Sequence, residues 1–201
     1  MDIVNRAKNI ILSPKTEWST IKGESITISD MFTQYAVILA AIPAIAGFIG
    51  YSIVGFSGFV GGYFRISVSK GFMIALMAYI FALVGVYILG LVIDWLAPTF
   101  GAQKDSSSSF KVAIFSMTAS WVGGIFSIIP MFGVLTMLAG LYSLYLLYLG
   151  IKEIKNPPKE KLIGYFIASL ITAIVIYMLI NIILGSMMFG AAGLGSYKMT
   201  I

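Results

Sequence analysis

Apolar residues fall into long, nearly unbroken blocks separated by short polar stretches, and an amphipathic segment precedes the first block. The block over residues 110–151 is nearly uncharged and roughly twice the ~20 residues a membrane-spanning helix needs, so it predicts two spans joined by a short turn. Pro130 and Gly133 mark that turn, because proline ends a helix and glycine tolerates the bend. The pattern as a whole predicts five spans, at about 31–54, 71–95, 110–129, 133–151 and 162–184. Ser29 or Asp30 is placed to cap the first span, and Pro43 near its middle removes one backbone donor and predicts a kink. Ser116, Ser120 and Gly124 recur every four residues, with Ser127 three later. They form a small-residue seam on one face of the third span, where another helix can approach closely.

Residues 1–30 read differently. Ile3, Ala7, Ile10 and Ile11 share one helical face, while Asn5, Arg6, Lys8 and Asn9 occupy others. This predicts a cytoplasmic amphipathic segment lying in the membrane interface, its basic residues toward lipid headgroups. Ser13-Pro14 opens a second short helix that stops at Gly23. Trp18 within it has two open readings, an interfacial anchor or a packing residue. Residues 55–70 form a glycine-rich aromatic connection, 97–109 a polar loop that a serine run makes flexible, and 152–161 a basic loop stiffened by Pro157-Pro158. Residues 186–201 are expected to form an extracytoplasmic tail, loosely ordered or lying along the interface.

Composition narrows the class. With 59% hydrophobic and 10% charged residues, the chain is far from a soluble domain, in which about a quarter of residues are charged. The expected fold is an all-α integral membrane protein of five transmembrane helices with N-terminal amphipathic interfacial helices. The 201 residues leave room for one compact bundle and no large soluble domain. The formal charge of +5 is assigned to topology signals and anionic lipid, with no nucleic-acid partner expected. Ten lysines and arginines (6, 8, 15, 22, 104, 111, 152, 155, 159 and 161) fall on the side of the N-terminus, and three (65, 70 and 198) on the other. The positive-inside rule then places the N-terminus in the cytoplasm and the C-terminus outside a cytoplasmic (inner) membrane. The first 30 residues carry charge throughout and lack the pattern of a signal peptide.

Candidate chemistry is sparse. The chain has neither cysteine nor histidine, which removes thiolate chemistry and the commonest general base and metal ligand. Gly55-Phe56-Ser57-Gly58 matches a Gly-x-Ser-Gly protease motif, but its serine would need a histidine base. With no metal-ligand cluster and no phosphate-binding loop, the chain is not expected to be an enzyme, to bind a metal or cofactor, or to drive pumping with ATP alone. Asp94 is the one carboxylate of the second span, roughly 35 Å along the helix from Gly71 and so near the far interface. Pairing with a loop lysine, capping and a functional role are all open to it. Asn181, near the end of the fifth span, suits an interhelical hydrogen bond or solute binding, and Tyr142, Tyr145 and Tyr148 suit an aromatic belt. The candidate functional or helix-packing residues are therefore Pro43, Asp94, Ser116, Ser120, Gly124, Pro130 and Asn181.

The order of several short motifs resembles the Yip-one domain (Ypt-interacting protein) family, specifically its bacterial members. The shared features are Leu12-Ser13-Pro14 with Glu17-Trp18, Phe100-Gly101 before a loop, Ile129-Pro130-Met131-Phe132-Gly133, Gly140-Leu141-Tyr142-Ser143-Leu144-Tyr145, and Gly150 with a proline-containing basic loop before Gly164-Tyr165. The family's Tyr-x-x-x-Pro of the third span is replaced here by Phe115 and Ala119. The resemblance implies a multi-pass membrane protein. Eukaryotic relatives act in vesicle trafficking with prenylated Rab-type small GTPases and partner family members; for a bacterial-type chain a GTPase partner is only an analogy. Two functions are open. One is an interaction or membrane-organising protein that recruits itself or other membrane proteins. The alternative is a channel or secondary carrier for an ion or small solute, with lipid handling as its variant. They separate on whether the polar residues converge on a cavity.

Overall fold

The computed structural model describes residues 2–57 and 63–189. The centre of the glycine-rich connection, including part of the Gly-x-Ser-Gly match, and most of the expected tail with Lys198 lie outside the described residues. Five helices are long and apolar enough to cross a membrane: Ile28–Val54, Val68–Leu96, Ser106–Ile128, Pro130–Lys155 and Lys159–Met187. They follow two short helices, α1 (Ile3–Leu12) and α2 (Pro14–Gly23). The chain is an all-α membrane protein, with one two-residue antiparallel pairing of Phe56–Ser57 with Tyr63–Phe64 in its first connection.

Local chemistry sets the helix starts. Asp2 caps α1 by accepting from the Asn5 amide at 3.1 Å. Pro14 occupies the first turn of α2, where its missing N–H costs nothing. The first span is capped by Thr27, which accepts from the Asp30 amide at 3.0 Å, and neither Ser29 nor Asp30 takes that role. The serine run is also not a flexible loop. Asp105 caps it by accepting from the amides of Ser107 (3.1 Å) and Ser108 (3.3 Å), so residues 106–109 become the first turn of the third span. The fourth span overruns its expected end at 151 by about one wide turn, Ile151–Lys155. It stops where Asn156 adopts a left-handed conformation (φ 43°) ahead of Pro157-Pro158.

The spans are unequally packed. The second lies against the first, third and fifth, and the third also packs against the fourth. In the third span 56% of the most apolar window is buried, against 6% in the fifth. The third span is thus the core of the bundle, and the fifth leans on its edge along the second. First and third spans approach closely because Gly124 has no side chain: a Cβ there would sit 2.5 Å from the Pro43 ring.

The α1–α2 hairpin departs most from the sequence reading. Arg6 does not face outward as the other basic residues Lys8, Lys15 and Lys22 do; the hairpin is docked against the bundle, with Ile10, Trp18 and Ile21 fully buried. Arg6 turns inward because two carboxylates and a ring await it. It pairs with Glu17 at 2.5 Å and with Glu24, and its guanidinium lies 5.7 Å from the centre of the Phe115 ring. Trp18 packs against the bundle and is no interfacial anchor. Its ring fills a notch at Gly150, where a Cβ would come within 2.8 Å of it.

Candidate functional site

The residues singled out by the sequence separate into two places. The first is an ion-paired cluster at the end of the bundle that carries the hairpin. Asp94, in the last turn of the second span, is buried and accepts hydrogen bonds from Ser106 Oγ at 2.9 Å and Ser109 Oγ at 3.0 Å. Its carboxylate faces Lys155 Nζ at 4.0 Å. That ammonium also donates to the carbonyls of Gln103 (2.8 Å) and Asp105 (3.3 Å) and to Ser109 Oγ (3.0 Å). The pair therefore locks the second, third and fourth spans and the connecting loop in one register. Asp105 is held below the ordinary carboxylate value, chiefly by the Ser108 hydroxyl, then by the Ser108 amide, the Lys155 charge and the Ser107 amide, against some desolvation. A polar recess of 330 Å³ opens beside it, lined by Gln103, Asp105, Ser108, Lys155 and Asn156.

Beside this cluster, Lys111 is buried and donates to the Glu24 carbonyl at 2.5 Å, tying α2's exit to the third span. Tyr35 and Thr118 share a buried hydrogen bond of 2.8 Å between the first and third spans. Tyr142, expected in an aromatic belt, instead donates to the Ile11 carbonyl at 2.7 Å and so holds the end of α1. Tyr148 stands edge-on to Phe166 at 5.5 Å, linking the fourth and fifth spans.

The second place is a groove between the fifth span and the first three. One chamber, of 430 Å³, is lined by Pro43, Ser120, Ser127 and Asn181 among mostly small or aliphatic residues. A second chamber, of 370 Å³, shares Pro43, Ala44, Ala78, Ser127, Asn181 and Leu184 with the first and continues to Ser52, Ile66 and Gly71. The groove thus gathers three of the named candidates: Pro43, Ser120 and Asn181. Asn181 forms no hydrogen bond to another helix. It is exposed and donates to its own helix's Tyr177 carbonyl at 2.8 Å.

The other candidates lie elsewhere. Ser116 is fully buried and donates back to the Val112 carbonyl. Ser120 also bridges to the fourth span, its amide and hydroxyl both donating to Ser143 Oγ at 2.9 Å. Gly124 lies against Pro43. Pro130 opens the short turn Pro130–Phe132 that leads into the fourth span.

The loop lysine that the sequence offered Asp94 as a partner is Lys155; sequence reasoning missed Ser109, Arg6 with its two carboxylates, and the Tyr35–Thr118 bond. One signal was present: Asp94 and Lys155 fall at the same end of the bundle once five spans are drawn. The hairpin's charges left none, because Arg6, Glu17 and Glu24 meet only through its docking.

Comparison with known proteins follows the same lines. A Yip1 domain family model matches residues 8–194. The inner membrane protein YohC of Escherichia coli K12 is 28% identical over 166 residues, which cover 81% of this chain and 85% of that protein. YohC of Escherichia coli O6:H1 gives the same figures. No solved structure matches the chain significantly.

Proposed function

Because this chain belongs to the Yip1 domain family, we propose that it is an inner-membrane interaction and membrane-organising protein with no catalytic step of its own. One observation carries this reading. The four buried charged residues among the described ones, Glu17, Asp94, Lys111 and Lys155, are each committed to a partner inside the fold. Charge in the body is thereby used to fix the fold, and the chain meets its surroundings through the apolar flanks of its spans. The inner-membrane assignment is supported by the name of the Escherichia coli relative. A cytoplasmic hairpin end is supported by the excess of lysine and arginine there. The partners are the bilayer and other membrane segments, a second copy of this chain among them.

The test is mass determination after extraction from its native membrane in mild detergent. Recovery with a second copy or a reproducible membrane partner is expected; a monomer with no partner contradicts the reading. The competing reading, a channel or carrier, loses Asp94 to the ion pair but is favoured by the convergence of Ser120, Ser127 and Asn181 on one groove. Flux through proteoliposomes that Asn181→Leu abolishes would establish it, and no flux of any tested ion or solute would remove it.

A further inference from the structure

We propose that the groove beside the fifth span holds one acyl chain of a phospholipid, with its ester end at Ser52. This goes beyond the organising role and does not depend on whether the chain associates with itself.

The shape points to a long, thin, apolar guest. Along the second span the lining runs from Gly71 to Leu89, a length of roughly 27 Å at 1.5 Å per residue. One leaflet of a bilayer core of about 30 Å is half that thickness, so a full acyl tail fits within the groove. The two chambers, 430 and 370 Å³, each fall within the roughly 300–1,000 Å³ of small-molecule sites. Their width comes from Ala40, Ala44, Ala78, Ala82 and Ala173, small residues on three facing helices. The fifth span closes one side without sealing it, since it packs chiefly on the second. The groove therefore opens sideways into the hydrocarbon region, where the available solute is lipid.

A second, independent observation identifies the head end. Ser52 is 94% buried, lines the outer chamber, and its hydroxyl has no hydrogen-bond partner. A hydroxyl buried in an apolar setting without a partner costs free energy; the Ser52 hydroxyl packs toward Gly71, and on turning from there into the chamber it would donate to a lipid ester carbonyl. Ser52 lies two residues before the end of the first span, at the bundle end opposite the hairpin. A span end is where the hydrocarbon core gives way to the headgroup region, so ester carbonyls of the leaflet on that side would meet the groove there. The tail would then run inward past Pro43 and Ala78 toward Val86 and Leu89.

The experiment uses the full chain in vesicles of phosphatidylethanolamine and phosphatidylglycerol, with a trace of phospholipid bearing a diazirine on one acyl chain. After illumination, labelled residues are mapped by mass spectrometry. Label is expected to concentrate on the groove walls, around Ala44, Ala78 and Asn181, above that on the exposed face Val134–Leu141 of the fourth span. Ala78→Phe fills both chambers and is expected to cut groove labelling about tenfold while leaving the fourth-span label unchanged. Ala44→Phe is the second filling variant, and Ser52→Ala is expected to lower groove labelling roughly fivefold. Even labelling of all lipid-facing residues in the wild type overturns the proposal, whatever the variants do. So does groove labelling that Ala78→Phe leaves unchanged, or capture of another protein segment at Ala78 in place of lipid.

Discussion

Removing the Asp94 carboxylate would leave the Lys155 ammonium buried among carbonyls with only the more distant Asp105 carboxylate as counter-charge. Breaking a buried pair in this way costs about 3–5 kcal/mol, whereas replacing both partners by apolar groups of similar size is close to neutral. Asp94→Ala is therefore expected to lower stability by several kcal/mol in detergent denaturation, and Asp94→Leu with Lys155→Met to recover most of the loss. Equal loss in the single and double variants would refute the pairing. Gly150→Val should push the Trp18 ring from its notch, since even a Cβ comes within 2.8 Å of it. The expected cost is about 1–3 kcal/mol of overpacking, seen as faster proteolysis at the hairpin's lysines. Asp94 was legible at this scale because residue count alone places it at a span end. Which loop lysine pairs with it was not, because the fourth span continues one wide turn past the last strongly apolar residues, and only the left-handed Asn156 ends it.

Among the elements, the first turn of the third span depends on a carboxylate cap. Asp105 has a folded pKa below its ordinary 3.8, with the Ser108 hydroxyl as the largest cause. A depressed carboxylate stabilises the fold fully above the unfolded value, and that contribution fades as pH falls through it toward the folded pKa. Wild type should thus lose stability between about pH 5 and pH 3 more steeply than Asp105→Asn, because asparagine keeps the cap without the charge. The comparison of Tm against pH for the two proteins checks this; parallel curves would count against the cap's role. Why the serine run reads as a loop is also clear. Serines favour turns over helix interiors on their own, and here Ser106 and Ser109 are recruited by Asp94 on a different span. Likewise α1's amphipathic pattern was visible, but its docking rests on Arg6 meeting Glu17, Glu24 and Phe115, which no periodicity encodes.

For the whole molecule, the number of spans and the gathering of charge at one end follow directly from apolar block length and lysine placement. The unequal burial of those spans does not, because lipid-facing and helix-facing positions are equally apolar in a membrane. The fifth span is among the most apolar by mean hydropathy, at 2.6, yet the least buried. Orientation is open to direct measurement. The chain has no cysteine, so single cysteines at Lys22 and Ser69 report the two ends without background. Lys22→Cys is expected to react only from the cytoplasm and Ser69→Cys only from outside. Association within the membrane, the proposed way the protein works, is open to cysteine cross-linking along the fifth span in native membranes. Ile167, Ile171, Ile174 and Met178 on its exposed face are the positions to scan. A cross-linked species of defined mass, a dimer or a complex with one partner, is expected, peaking with helical periodicity. Monomer at every position, under conditions that cross-link a known membrane dimer, would contradict it.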